Sequence, residues 1–524
     1  MSDMVRPGYK DASCARYRSL SLSLSSLSRV LPQVKRSLKE EILKPRYSDA
    51  VGTVVNSVLL EQGLAARLCN NLYMHEERRA DLTTPPNENI RDLPTSFLFR
   101  PTGEELNMIT LMNEKWAMQL HMALLSHCEE MGRPLMRLTS DMSRGGGGRS
   151  GRGAKWLYTS DDLLLLLESV RHPNQASRKG GKDWSLTPVA LWTPRLPQLR
   201  QMFAELAPTE RQCGLDDELR GWFAEERNAV GGRLLTTSYA PLLMQYARCG
   251  VPPGLRGRMW LGALRLGTVS ERDYNYFATL QREIGRVTLA TDDMVKKDAM
   301  APSKEEDYFV FADLIEEVLL AFCRDPTVSQ LSAEPKPEPI IARDRFDNRV
   351  TFPPSGVPPF KGLADFVCPL CFVYARPPEL YFCFREMWAR YWSKLHSFSS
   401  SPGSLLPLLR LFEDLLQECA PAVCLHLLRL ELPPGKLAVH WIASGFASFL
   451  PAEQTLVLWD RIIGFDSLEL LPILAAAVFV YRAKWLLQAS EASHLHRLLA
   501  DATGLKVVPL LQLFLADCNQ LVCL

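Results

Sequence analysis

The chain has 524 residues with 60 Lys and Arg against 59 Asp and Glu, a formal net charge of +1, 47% hydrophobic residues and 23% charged residues. That is ordinary globular composition, long enough to bury a core without metal or disulfide staples. The electrical balance argues against nucleic acid as the main partner, because phosphate binding needs a concentrated basic surface, though it leaves room for local patches.

Residues 1–36 hold seven basic and two acidic residues around a Ser/Leu run at Ser19 to Ser28. This reads as a disordered basic tail, with a mitochondrial transit peptide as the alternative. There is no charged start followed by an apolar run and a cleavage site, so no secretory signal is expected. From Val34 to about Leu72 apolar residues recur at three- and four-residue intervals, opening a helical N-terminal region over 37–235. Beyond the break at Pro85-Pro86, Thr102 and Glu105 form a capping box, and Met108, Ile109, Met112, Trp116 and Leu120 share the face of the helix that follows. The stretch Arg144 to Gly153 is a flexible Gly/Arg linker; Ala154 stands where a phosphate loop needs lysine, and no apolar strand precedes it. Ser160 to Arg171 predicts another helix, with Asp161 and Asp162 complementing its positive end.

From about Tyr239 the sequence is denser in aromatic and aliphatic residues and almost continuously helical, which predicts an all-α protein. Leu380, Phe384, Met387, Trp388 and Tyr391 form one stripe; Leu408, Leu411, Phe412, Leu415 and Leu416 form another before Pro421. Leu456, Trp459, Ile462 and Ile463 form a third, stopped by Gly464 as a left-handed cap. The longest apolar run, Leu470 to Tyr481, ends at Arg482 and Lys484 and is too short to span a bilayer. Thirteen scattered cysteines read as reduced, mostly buried thiols of a cytosolic protein. Cys368 and Cys371 have no second ligand pair at matching spacing, so they read as core and no metal is expected. No His-Glu-x-x-His pair and no Gly-x-Ser-x-Gly elbow occurs.

The order of these segments resembles the TBC domain of Rab GTPase-activating proteins. The turn Gly250-Val-Pro-Pro-Gly-Leu-Arg-Gly-Arg-Met-Trp260 is similar to the family's opening motif, and Lys361-Gly-Leu-Ala-Asp-Phe-Val-Cys-Pro-Leu370 to its glutamine-finger segment. Leu411 to Gln417, Trp441 to Phe449 and Leu458-Trp-Asp-Arg-Ile-Ile463 complete the pattern, which covers roughly residues 245–485. The resemblance implies a TBC (Rab-GAP) helical domain over 236–490, with 491–524 as helices packed on it. It further implies a Rab-type small GTPase as partner and a regulator of that partner's hydrolysis in vesicle trafficking, not an enzyme with its own cofactor. GTP and magnesium would belong to the partner. The protein would be cytoplasmic, without a transmembrane segment, and peripheral on endomembranes through the partner.

The same resemblance implies two fingers, because GTP hydrolysis depends on positioning water and neutralising charge on the transferring phosphoryl group. The family's arginine motif is Ile-x-x-Asp-x-x-Arg-Thr. The match adopted is Val318-Leu-Leu-Ala321-Phe-Cys-Arg324-Asp325, with Arg324 as arginine finger, Ala321 replacing Asp and Asp325 replacing Thr. A rival register through Val310 and Asp313 puts Glu316 at the arginine, but Arg324 has the more usual distance to the second finger. That second motif, Tyr-x-Gln-Gly, reads Pro359-Phe-Lys361-Gly362. Lysine only donates, whereas an amide also accepts from water, so Lys361 offers a point cation at most. The bland alternatives are a solvated lysine and a helix-end arginine. Arg256 is expected in a structural or interface role, and Trp260, Trp441, Trp459 and Asp460 in packing and support. Two functions follow: a GTPase activator using Arg324, or a weak or inactive TBC scaffold that binds a small GTPase. An unrelated helical adaptor would not carry five motifs in order.

Overall fold

The computed structural model describes residues 103–132, 134–142, 160–171, 191, 193–215, 221–302, 308–332, 340–343 and 349–516. The tail at 1–36, the helical pattern at 34–72, Thr102 and the Gly/Arg stretch at 144–153 lie outside the described residues. The chain divides into two compact units. The smaller joins Met1–Asn87 to Thr236–Ala240, and only the second of these segments is described; the larger, Glu88–Leu235 with Pro241–Leu524, carries every site below.

The described residues are mostly helical. Helix α1 (Gly103–Glu130) buries Ile109, Trp116 and Leu120, and Trp116 meets Phe398 edge-on at 4.8 Å between ring centroids. Helix α2 (Ser160–Arg171) packs against it through a leucine face. Strands among the described residues form two short antiparallel pairs: β1 (Met136–Leu138) on β2 (Val287–Leu289), with Met136 opposite Leu289, and β3 (Ile340–Arg343) on β4 (Arg349–Phe352), with Ile340 opposite Phe352. Between the halves of the first pair come α3 (Pro253–Ala263), started by a proline whose missing N–H costs nothing there, and α4 (Glu271–Arg286). Ser270 caps α4 in a reciprocal box with Asp273. Helices α5 (Asp292–Ala299), α6 (Ala312–Arg324) and α7 (Pro377–Met387) follow, and α7 runs into a wide π turn over Trp388–Trp392. Every residue of the expected 380–391 stripe is buried.

The C-terminal part adds α8 (Leu405–Cys419), α9 (Pro421–Arg429), α10 (Pro434–Ala443), α11 (Ala452–Phe465), α12 (Leu470–Tyr481), α13 (Ala483–Gln488), α14 (Ala492–Ala500) and α15 (Val507–Leu515). Helix α12 is apolar all round because α8, α10 and α15 surround it; from Leu470 to Phe479 its apolar side chains are at most 3% exposed. No described helix is long and apolar enough to cross a membrane.

One expected stop is placed differently. Gly464 is helical, and α11 ends one residue beyond it, at Phe465, with Asp466 in the left-handed region at φ 52°, ψ 41°. Glycine is needed at 464 for space: a Cβ there would lie 2.5 Å from the Arg248 amide nitrogen. Asp466 is held by Arg390 through Nε and Nη2, each at 2.8 Å, and by the Tyr391 hydroxyl at 2.8 Å. Burial alone would raise its carboxyl, but the Arg390 pair brings it below the usual range. Cys368 and Cys371 are buried in a tight turn, and burial pushes the Cys371 thiol up to about 12.

The packed body extends past both ends of the 236–490 span. The fully buried Arg461 guanidinium donates to Val457 O at 3.0 Å, to Gln212 Oε1 at 3.1 Å and to Cys213 O. From the other end Val507 N donates to Gln454 Oε1 at 3.0 Å, and Gln512 Nε2 reaches Ala207 O and Glu210 O at 3.1 and 3.2 Å.

Candidate functional site

The loop carrying Lys361 is built from three differently treated neighbours. Phe360 is 4% exposed, and its ring lies 4.3 Å from that of His396 and 5.9 Å from that of Trp388. Burial holds His396 well down, at about 3, so the ring under the loop is neutral at physiological pH. Lys361 points to solvent. Gly362 then takes φ +96°, a conformation L side chains rarely adopt, and a Cβ on it would lie 3.2 Å from Asp365 Oδ2.

Asp298, on the last turn of α5, grips this loop. Its Oδ1 accepts the Gly362 N–H at 2.7 Å and its Oδ2 accepts the Ala364 N–H at 2.7 Å. The carboxyl is 2% exposed. Burial raises it to about 6, against the opposing pull of the Gly362, Ala364 and Leu363 amides and the Lys361 charge. Short charge-assisted bonds of this kind fix a loop more firmly than neutral ones. Past Asp298 the chain exposes Met300 and Ala301.

Arg324, the arginine-finger candidate, is buried in an ion pair. It closes α6, where Nη1 and Nη2 each lie 2.9 Å from the two oxygens of Asp292, and Nη2 also donates to Val287 O at 2.8 Å. The side chains of the pair are 5% and 8% exposed. Asp292 Oδ2 further accepts Leu289 N at 2.9 Å, so the pair ties α6 to β2 and to the start of α5. Ala321 is fully buried, where a carboxylate would have no water. Asp325 accepts from the hydroxyls of Tyr276 (2.7 Å) and Tyr381 and from Thr327 N (2.8 Å). Burial would raise it, but these bonds hold it below the usual range. Glu316, the rival position, sits 3.8 Å from Lys296 Nζ.

Arg256, Trp260 and Asp460 converge into a single buried cluster. Asp460 Oδ1 accepts Trp260 Nε1 at 2.8 Å and Arg256 Nε at 3.1 Å, while Oδ2 accepts Arg256 Nη2 at 3.0 Å and Val251 N at 3.2 Å. This joins the 250–260 turn to α11, with all three residues buried. Trp459 donates to Gly445 O at 3.0 Å, and Trp441 stacks on Phe449 at 4.3 Å. The structure thus holds the Lys361 loop at Asp298, near the end of α5, and Arg324 at Asp292, at the start of the same helix. Sequence reading missed Asp298; its signal was an Asp three residues after Val295, at the motif's own spacing.

Residues 360–487 match the family model for the Rab-GTPase-TBC domain. Over 427 residues the chain is 34% identical to TBC1 domain family member 19 of Homo sapiens, spanning 76% of this chain and 80% of that protein. A crystal structure of the Chlamydomonas flagellar RabGAP TBC domain is 16% identical and covers 64% of this chain and 97% of that one, with a TM-score of 0.40.

Proposed function

The chain belongs to the Rab-GTPase-TBC domain family, and from that premise we propose that it docks a Rab-type small GTPase at the Lys361 loop but stimulates hydrolysis poorly. The observation that carries this reading is the Asp298 grip on Gly362 and Ala364. It favours a register in which Val295-Lys-Lys-Asp298-Ala-Met-Ala301-Pro302 is the arginine motif, with Asp298 as its aspartate. Ala301 then stands at the arginine and Lys361 at the glutamine, so neither finger chemistry is supplied. Arg324 serves the fold.

The surroundings support a protein partner. Exposed Met300, Phe309, Val310 and Phe372 lie on segments joined by the Asp298 bonds and by Phe372's ring contacts to Tyr308 and Phe311, and Lys296, Lys297 and Lys361 add cations. An apolar patch rimmed by lysines suits a partner surface beside bound phosphate. The nucleotide and its magnesium would be held by that partner.

Single-turnover GTP hydrolysis across a Rab panel tests the reading. An arginine finger alone is worth about 10³–10⁵ in rate, so the wild-type chain should bind a Rab yet fall at least about 10³-fold short of a complete activator. Ala301→Arg with Lys361→Gln should recover part of that rate. Full activation by the wild-type chain that survives thermal controls and disappears in Arg324→Ala would overturn it.

A further inference from the structure

Two half-buried cysteines meet where the segment upstream of the Gly250 turn joins the packed body. Cys213 N donates to Cys249 O at 2.9 Å. A backbone bond of that kind sets the two Cα atoms about 5–6 Å apart, inside the roughly 4.4–6.8 Å that a disulfide spans. The buried Arg461 guanidinium runs beside both residues: it donates to Cys213 O, and a Cβ on Gly250 would lie 2.6 Å from its Nη2. Burial pushes the Tyr246 hydroxyl up to about 12 and the Arg461 guanidinium down, and both thiols act on each of these groups, so the two sulfurs share one neighbourhood. Of the other described cysteines, six are buried and Cys419 is exposed at the end of α8.

We propose that Cys213 and Cys249 are a reversible oxidation site, closing to a disulfide that staples the 204–215 segment to the turn at Gly250. The co-reactant class is a small-molecule disulfide such as oxidised glutathione. Burial pushes the Cys249 thiol up against the opposing pull of Arg227 and Arg461, so the resting thiol is protonated and exchange is slow. Once its proton passes to water, the Cys249 thiolate attacks one sulfur of oxidised glutathione, whose S–S bond breaks and releases one glutathione thiolate. The Cys213 thiolate then attacks the Cys249 sulfur and expels the second. The protein gives up two electrons and two protons, and the oxidant becomes two thiols. The new bond closes 213–249, with its helices Gly221–Thr237 and Ala240–Ala247, into a loop and removes chain entropy from the unfolded state. It also fixes Gln212 and Cys213 O on Arg461, beside the turn that Arg256 and Asp460 tie to α11. This site stands apart from the GTPase reading.

The full chain is incubated with oxidised glutathione for hours, quenched with iodoacetamide and mapped by mass spectrometry. A peptide pair joined through Cys213 and Cys249 is expected within one chain, and dithiothreitol should release it. The oxidised chain should melt about 5 °C higher than the reduced one, and Cys213→Ser and Cys249→Ser should each lose that shift. If either variant fails to fold, the peptide map of the wild-type chain decides alone. Glutathione retained on either cysteine without the crosslink, or a crosslink found only between two chains, overturns the proposal. So does a crosslink that leaves the melting temperature unchanged, or a shift that persists in either variant, which would assign it to another pair.

Discussion

The Asp298 carboxylate, 2% exposed between two amide hydrogens, costs the protein free energy at neutral pH even as it orders the Lys361 loop. Its carboxyl is raised from 3.8 to about 6 by burial, so the folded chain holds this proton more tightly than the unfolded chain does. The stabilising contribution is therefore full below about pH 4 and is lost as pH rises through about 6. A non-titrating Asp298→Asn variant lacks this dependence. Denaturant unfolding should show the wild-type advantage over that variant to be about 1 kcal/mol larger at pH 5 than at pH 7, and a carbon-detected titration should place the carboxyl near 6. A flat difference with a midpoint near 4 would mean that the loop is open to water. The role of Asp298 was hard to see in the sequence because its partners lie 64 and 66 residues away. Lys361 and Gly362 drew notice in the sequence because the motif they resemble is contiguous.

At the scale of elements, Arg324 and Asp292 form a clasp among α6, β2 and the start of α5. Removing one side of a buried pair leaves a charge without compensation, typically costing about 3–5 kcal/mol, whereas replacing both sides with apolar groups costs far less. Arg324→Ala should thus lower the unfolding free energy by about 3–5 kcal/mol, and Arg324→Met with Asp292→Leu should regain most of it. Any loss of GTPase-related activity in Arg324→Ala should follow the melting temperature. A normally stable Arg324→Ala that loses only activity would return the residue to the finger role. Among the described residues periodicity found the helices and most of the buried stripes, since both are local consequences of 3.6 residues per turn. It could not say that the cation ending α6 meets a carboxylate 32 residues earlier. For the same reason Gly464 looked like a cap: spacing marks glycine near a helix end but does not reveal the Arg248 backbone against it.

At the scale of the whole molecule, the motifs marked the middle of the packed body better than its edges, because motif residues cluster in the centre while the edges are closed by segments with no motif. Upstream, Gln212 and Cys213 satisfy the buried Arg461, which a chain starting at 236 would leave short of two acceptors. Downstream, α15 lays Val507, Val508, Leu510, Leu511 and Leu515 into the core, each at most 7% exposed. Burying a side chain of this size is worth about 1.5–3 kcal/mol, so those five alone rival the 5–15 kcal/mol that typically holds a domain folded. A fragment spanning 236–490 should therefore express as aggregate or show no cooperative melt. One spanning 193–516 should melt cooperatively and retain whatever GTPase binding the full chain has. Circular-dichroism melts and gel filtration of the two fragments decide the point. A cooperative, monomeric 236–490 fragment would mean that α15 and the 195–215 segment decorate a core that stands without them.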